Sequence, residues 1–298
     1  MRLERIITVV VVIMVGLGLT LLVERAPTVL PLPGGLLGVS LVWIIVALLL
    51  VVAALGVEAT VHAHPHTHLW PFPRLHLGKL TLEFAPRYWT LPALLTLGAA
   101  LFLRIFANDA IVALILVITA IALTLVFIAQ YHSLDAQDKY FGVATLGLNI
   151  IAYLAAFALF GSIYYAKERS LVSAPTVLAV AALLSYEIFT RSSGLGYGVL
   201  GTGVGRFAPE AANALRSRAL VLAISAGLLL GEVTWALNYW PVSALVGGMF
   251  LLLSFYIVVG LMSLYLTGGL NGRAVVEFTL VGISGMIIVF LISFTNRQ

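Results

Sequence analysis

The chain has 298 residues, of which 62% are hydrophobic and only 9% charged, with a mean hydropathy of +1.12. A soluble domain carries roughly 25% charged residues, so this sequence cannot give itself a wettable surface in water. A soluble globular protein, a disordered chain and a nucleic-acid binder are thereby excluded. The formal net charge of +4 comes from cations scattered through the loops rather than from a basic patch. With no cysteine, there is no disulfide, no thiolate metal site and no cysteine nucleophile.

A helix needs about 20 mostly apolar residues to cross the hydrocarbon core. Nine runs approach or exceed that length: about 6–23, 37–57, 90–106, 109–130, 141–165, 171–191, 216–239, 242–267 and 274–294. The first follows Arg2 and Arg5. Its apolar stretch is too long for a signal-peptide core and ends at Glu24-Arg25, so it is read as a retained anchor. Only Asn108-Asp109 separates the third and fourth runs. One helix over 93–130 would be about 57 Å long, nearly twice the hydrocarbon thickness. A hairpin is therefore predicted, and without it the count falls to eight.

With nine spans, eleven cations lie on one side: Arg2, Arg5, Arg74, Lys79, Arg87, Lys139, Arg191, Arg206, Arg216, Arg218 and Arg273. Five lie on the other: Arg25, Arg104, Lys167, Arg169 and Arg297. The positive-inside rule then puts the N-terminus in the cytoplasm and the C-terminus outside. Tyr131, Tyr140, Tyr164, Tyr165 and Tyr239-Trp240 fall at headgroup depth, where amphipathic rings anchor a bundle. The predicted fold class is all-α: a polytopic transmembrane helix bundle, a single domain over 1–298, in the cell membrane.

Two sizeable loops, both predicted cytoplasmic, interrupt it. The first, 58–89, holds His62, His64, His66 and His68 in strict alternation around Pro65, followed by His76. In an extended chain a period of two puts the four imidazoles on one face. Two such ligands can chelate Zn, Cu or Ni, and Glu58, Glu83, Asp135 and Asp138 are expected on the same side. The competing reading is a polar interfacial loop that binds metal only adventitiously. Residues 75–84 alternate apolar and polar around Gly78-Lys79 and predict a short amphipathic hairpin. The second loop, 192–213, has six glycines between Gly194 and Gly205. Its G-x-G-x-x-G match lies between membrane helices instead of in a βαβ unit, so it is read as accidental. A flexible connector is the simplest reading, with an anion nest or a re-entrant segment as alternatives. His132, Asp135 and Asp138 stand at i, i+3 and i+6, which on a helix would share a face and could hold a cation.

Charges inside spans cost several kcal/mol and ask for a role. Glu187 with Arg191, and Arg273 with Glu277, sit four apart and are read as structural ion pairs. Arg104 and Asp109 are placed to pair across the tight turn between them. Glu232 differs. At 1.5 Å per residue it lies about 21 Å from Arg218 and about 12 Å from Trp240, with no cation within a turn. It is expected to be protonated, bonded to neighbouring helices, or facing a wet cavity. Asn149, Ser254, Tyr256 and Arg191 are the proposed neighbours, and Trp235, Asn238 and Tyr239 continue its polar stripe. The plain alternative is a hydrogen-bonded helix-packing network.

The tract Gly231-Glu232-Val233-Thr234-Trp235-Ala236-Leu237-Asn238-Tyr239-Trp240-Pro241 resembles the signature of an uncharacterised family of bacterial polytopic membrane proteins. Arg87-Tyr88-Trp89 and Gln130-Tyr131-His132-Ser133-Leu134-Asp135 are similar to it as well, although a Glu-Tyr pair usually stands at Gln130-Tyr131. The resemblance spans about 80–290. It implies continuity of fold, a bacterial inner membrane and no particular reaction.

Three functional readings follow. The first is a non-enzymatic accessory or scaffold subunit of a larger membrane complex, suggested by the lack of a soluble domain or nucleophile set and by small faces at Gly247-Gly248 and Gly282/Gly285. Its partners would be the bilayer, other membrane subunits or further copies of the chain. The second is a small proton-coupled transporter using Glu232. The third is an enzyme of lipids or quinones with Zn at the His-rich loop. A bound lipid or pigment is the other cofactor considered.

Overall fold

The computed structural model describes residues 3–25, 29–31, 38–64, 74–77, 80–83, 85, 88–135, 137–166, 170–193, 209–240 and 242–295. Among them the helices are α1 (Leu3–Arg25), α2 (Leu41–Val61), α3 (Thr90–Phe102), α4 (Asp109–Ser133), α5 (Phe141–Tyr165), α6 (Ser170–Ser192), α7 (Pro209–Leu237), α8 (Ala244–Leu266) and α9 (Gly272–Thr295). Every predicted run is a helix. Eight are long and apolar enough to cross a membrane, whereas α3 has 13 residues and falls short. Two antiparallel ladders accompany them: β1 (Val29–Pro31) with β2 (Gly38–Ser40), and β3 (Arg74–Leu77) with β4 (Leu80–Glu83). The second is the hairpin read from residues 75–84, with His76 opposite Thr81.

The break between α3 and α4 has a local cause. The helix tightens into a 3-10 turn at Leu103–Ile105 and the backbone is extended at Phe106. Asn108 then caps α4, its Oδ1 accepting the N–H groups of Ala110 at 2.9 Å and Ile111 at 3.3 Å. An Asn cap followed by an acidic first residue stabilises a helix start by roughly 1 kcal/mol.

The sequence reads as one domain over 1–298; within it the helices gather into two compact units, residues 1–151 and 152–298. In the first, α1 packs along α2, α2 along α3, and α4 against all three. Gly56 lets the rings and methyls of Phe127 and Val9 approach α2, where a Cβ would stand 2.6 Å from Val9 Cγ1. Ile13, Leu17, Leu91, Leu103, Leu123 and Phe127 are fully buried there.

In the second unit α6 and α7 form the most extensive pairing, followed by α8 with α9 and with α7. The C-terminal half of α5 meets α8 where Gly248 leaves no side chain: an added Cβ would lie 2.8 Å from Gly161 Cα. Phe160 and Phe255 close the same seam at 5.6 Å between ring centroids. The α8–α9 turn ends in a Schellman motif. Gly268 takes φ +72°, its N–H donates to Tyr265 O at 3.2 Å, and the Gly269 N–H donates to Leu264 O at 2.9 Å. A left-handed residue here favours glycine by about 1 kcal/mol or more. The predicted small faces are used inside this unit. Gly247 lies under the Tyr164 ring, Gly285 under Leu253, and Gly282 faces Ile257. They therefore give no support to an outside partner.

Candidate functional site

Polar groups of the first unit converge at one end. Glu58, one turn before the end of α2, accepts at Oε1 from the Ala85 N–H at 2.7 Å and from the Trp89 indole N–H at 2.8 Å. Gln130, one turn before the end of α4, is fully buried, and its amide donates to Tyr88 O at 2.9 Å. Its Oε1 has no hydrogen-bond partner among the described residues. Together these bonds fix the stretch before α3 onto the ends of α2 and α4. The partners are 27, 31 and 42 residues apart.

Four rings extend the cluster. His64 is buried and meets Tyr131 edge-on at 4.9 Å. Tyr131 meets His132 at 5.5 Å, and His132 meets Tyr140 at 5.4 Å. His132 Nδ1 donates to Asp138 Oδ2 at 2.7 Å. The predicted helix face of His132, Asp135 and Asp138 does not form, because α4 stops at Ser133. Asp135 instead accepts from the Gln137 N–H at 2.9 Å, and Asp138 from the Tyr140 N–H at 2.8 Å. Such local carboxylate-to-backbone bonds compete with helix.

The alternating histidines also depart from expectation. The chain leaves α2 in a helical turn rather than as a strand, with His62 N bonded to Glu58 O and His64 N to Val61 O. His62 is exposed, with Nδ1 2.9 Å from Glu58 O and 3.1 Å from Glu58 Oε2, while His64 is buried. The first two imidazoles therefore do not share a face. His66 and His68 lie outside the described residues, as do 194–208 of the glycine-rich loop. Among the described residues no three His, Asp or Glu side chains are grouped to hold a metal ion.

The Asp138 carboxyl sits below its ordinary value of 3.8. The Tyr140 N–H is the main cause, followed by the His132 hydrogen bond, with positive charge on His132 and His64 adding less. A lowered folded value gives stability that is complete above the ordinary carboxylate range and is lost as pH falls through the folded value, below about pH 4. Thermal melts across pH should show an acid-dependent loss in the wild type that is smaller in Asp138→Asn. Parallel curves would contradict this assignment.

In the second unit, Glu187 and Arg191 pair within α6 at 2.8 Å, with side chains only 5% and 1% exposed. Next to Arg191, Ser263 donates to Ser192 at 2.9 Å. Arg273 and Glu277 pair at 3.1 Å on the exposed surface of α9. The stripe on α7 divides. Asn238 is half-buried and donates to Ser173 at 2.9 Å. Glu232, Trp235 and Tyr239 are exposed on the outer face, with Trp235 and Tyr239 rings 5.9 Å apart. The expected placement of Glu232 among polar groups of neighbouring helices is thus replaced by an outward one. Asn149 belongs to the first unit, on α5, and is half-buried.

Glu58 and Gln130 are the residues that local spacing did not single out as a pair of anchors. Their signal was a carboxylate just past the end of one apolar run and an amide at the last position of another.

Eight apolar helices of membrane-crossing length among the described residues define a multi-pass integral membrane protein. The chain belongs to the family described as Protein of unknown function (DUF5656), whose model matches residues 24–216 and 207–292. The match reaches further toward the N-terminus than the motif resemblance did. No curated protein and no solved structure matches the chain.

Proposed function

We propose that the protein is a non-enzymatic accessory or scaffold subunit of a larger complex in a bacterial inner membrane. The observation that supports this is Glu232, a carboxyl exposed on the outer face of α7 within its apolar stretch. A carboxyl facing acyl chains costs several kcal/mol. A neighbouring subunit carrying a cation or hydroxyl donor at that depth would offset the cost. Trp235 and Tyr239, exposed on the same face, add flat amphipathic contact area of the kind enriched at interfaces. A carrier would need this carboxyl to open into a passage, so the outward placement favours a partner over transported protons.

Affinity purification of the full chain in mild detergent tests the reading. Wild type should bring down a defined membrane protein, and Glu232→Leu should lose most of it, about tenfold for a hydrogen-bonded pair of 1–2 kcal/mol. Glu232→Gln, which retains hydrogen bonding, should lose less. A lone wild-type monomer, or equal recovery by all three proteins, would overturn the proposal.

A further inference from the structure

Within the second unit, the C-terminal half of α5 joins α8 and α9 around a cleft of about 390 Å³. Tyr153, Met249, Leu253, Tyr256, Gly285 and Ile288 are among the residues that line it. Tyr153 is the middle residue of α5, twelve from either end, and Tyr256 and Gly285 stand ten or more residues from both ends of α8 and α9. At 1.5 Å per residue each lies about 15 Å or more from its helix ends. The cleft is therefore at mid-depth in a hydrocarbon core about 30 Å thick. Met249, Tyr256 and Ile288 are exposed, so its mouth faces lipid rather than either aqueous side.

Two phenols set the chemistry of this cleft. Tyr153 stands edge-on to Tyr256 at 5.6 Å and to Phe255 at 5.7 Å, and Tyr256 lies tilted against Phe278 at 5.3 Å. Neither phenol hydroxyl has a hydrogen-bond partner among the described residues. Ser254, on the same helix as Tyr256, satisfies itself by donating to Phe250 O at 2.9 Å. That route is closed to a tyrosine, whose ring carries the hydroxyl away from its own backbone. A tyrosine hydroxyl withdrawn from water ordinarily finds an acceptor, and one left without is destabilising. Acyl chains at this depth offer none.

We propose that this cleft binds a lipid-soluble para-quinone carried on an isoprenoid tail. Its carbonyl oxygens accept from the two phenols, its flat ring packs among the aromatic side chains, and it has no charged headgroup to hold it at the surface. A phospholipid does not meet the same need. Its ester and phosphate oxygens stay at the edge of the hydrocarbon, about 15 Å away, and only methylene groups reach the cleft. The volume is within the usual range for a ligand pocket, roughly 300–1,000 Å³, and the flexible thioether of Met249 can adapt to the ring. Glu232, on α7, does not line the cleft, so the site is independent of the proposed complex.

Native mass spectrometry of the delipidated full chain tests it, with two probes: a dimethoxybenzoquinone bearing a short prenyl tail, and the dimethyl ether of its reduced form. The ether keeps ring and tail but has no carbonyl. Wild type should retain one equivalent of the quinone, about fivefold or more over the ether, the size expected from a neutral hydrogen bond. Tyr153→Phe and Tyr256→Phe keep both rings and should each lower quinone retention about fivefold while leaving the ether unchanged. Ile288→Trp, which fills the cleft from an exposed position, should weaken both probes. Phosphatidylglycerol at equal concentration should not compete. Equal retention of the two probes by wild type, undiminished quinone retention in either phenylalanine variant or in Ile288→Trp, or displacement by the phospholipid would each overturn the assignment.

Discussion

Arg191→Met should destabilise the second unit by about 3–5 kcal/mol, the usual cost of removing one partner of a buried ion pair. Glu187 and Arg191 are almost wholly enclosed, and their 2.8 Å contact spans one turn of α6. With methionine in place, the carboxyl stays buried with its cation gone. The double variant Glu187→Gln/Arg191→Met should recover most of the loss, because the stranded charge is removed together with its partner. Arg191→Lys should recover less than a conservative exchange suggests, since an ammonium lacks the planar fork. Thermal melts of the four proteins in one detergent decide the matter. A single-variant loss under about 1 kcal/mol would place the pair in the class of exposed, weak bridges.

Gly227→Ala is the second large expected effect, and its sign is the informative part. Alanine is normally better than glycine in a helix by about 1 kcal/mol. At Gly227, however, a Cβ would lie 2.6 Å from Leu178 O and 2.9 Å from Ala182 Cβ on α6. Backbone on one side and a short side chain on the other leave little to rotate away, so α6 and α7 must separate. Overpacking of this kind costs about 1–3 kcal/mol, and Gly227→Leu should exceed it. Gly147 on α5 meets nothing within 4 Å at the same construction, and Gly147→Ala should gain stability. Melting temperatures that rise for both alanine variants would refute the close approach.

Apolar length carried most of the fold. Hydropathy alone located all nine helices among the described residues, and the Asn108-Asp109 dipeptide marked the α3–α4 break because an Asn cap is a local device. Alternation located β3 and β4 for a similar reason. Sequence spacing failed where the partner was distant. Arg104 found Glu24 rather than nearby Asp109, and Glu58 and Gln130 found the chain ahead of α3. The outward placement of Glu232 was also hidden, because a helix apolar on all sides gives no periodic cue to its buried face. His62 and His64 were misread because alternation describes a strand only if the chain leaves the helix, and here α2 continues through a further turn.

The brevity of α3 is absorbed inside the protein. Its 13 α-helical residues and the 3-10 turn of 103–105 rise about 26 Å, against a hydrocarbon core of about 30 Å. Glu58 and Gln130 anchor its entry one turn inside the ends of α2 and α4, so the deficit is built in rather than frayed. No residue of α3 is exposed, and α1, α2 and α4 pack around it. Acyl chains therefore meet its longer neighbours, and a helix too short to span is carried without any thinning of the bilayer.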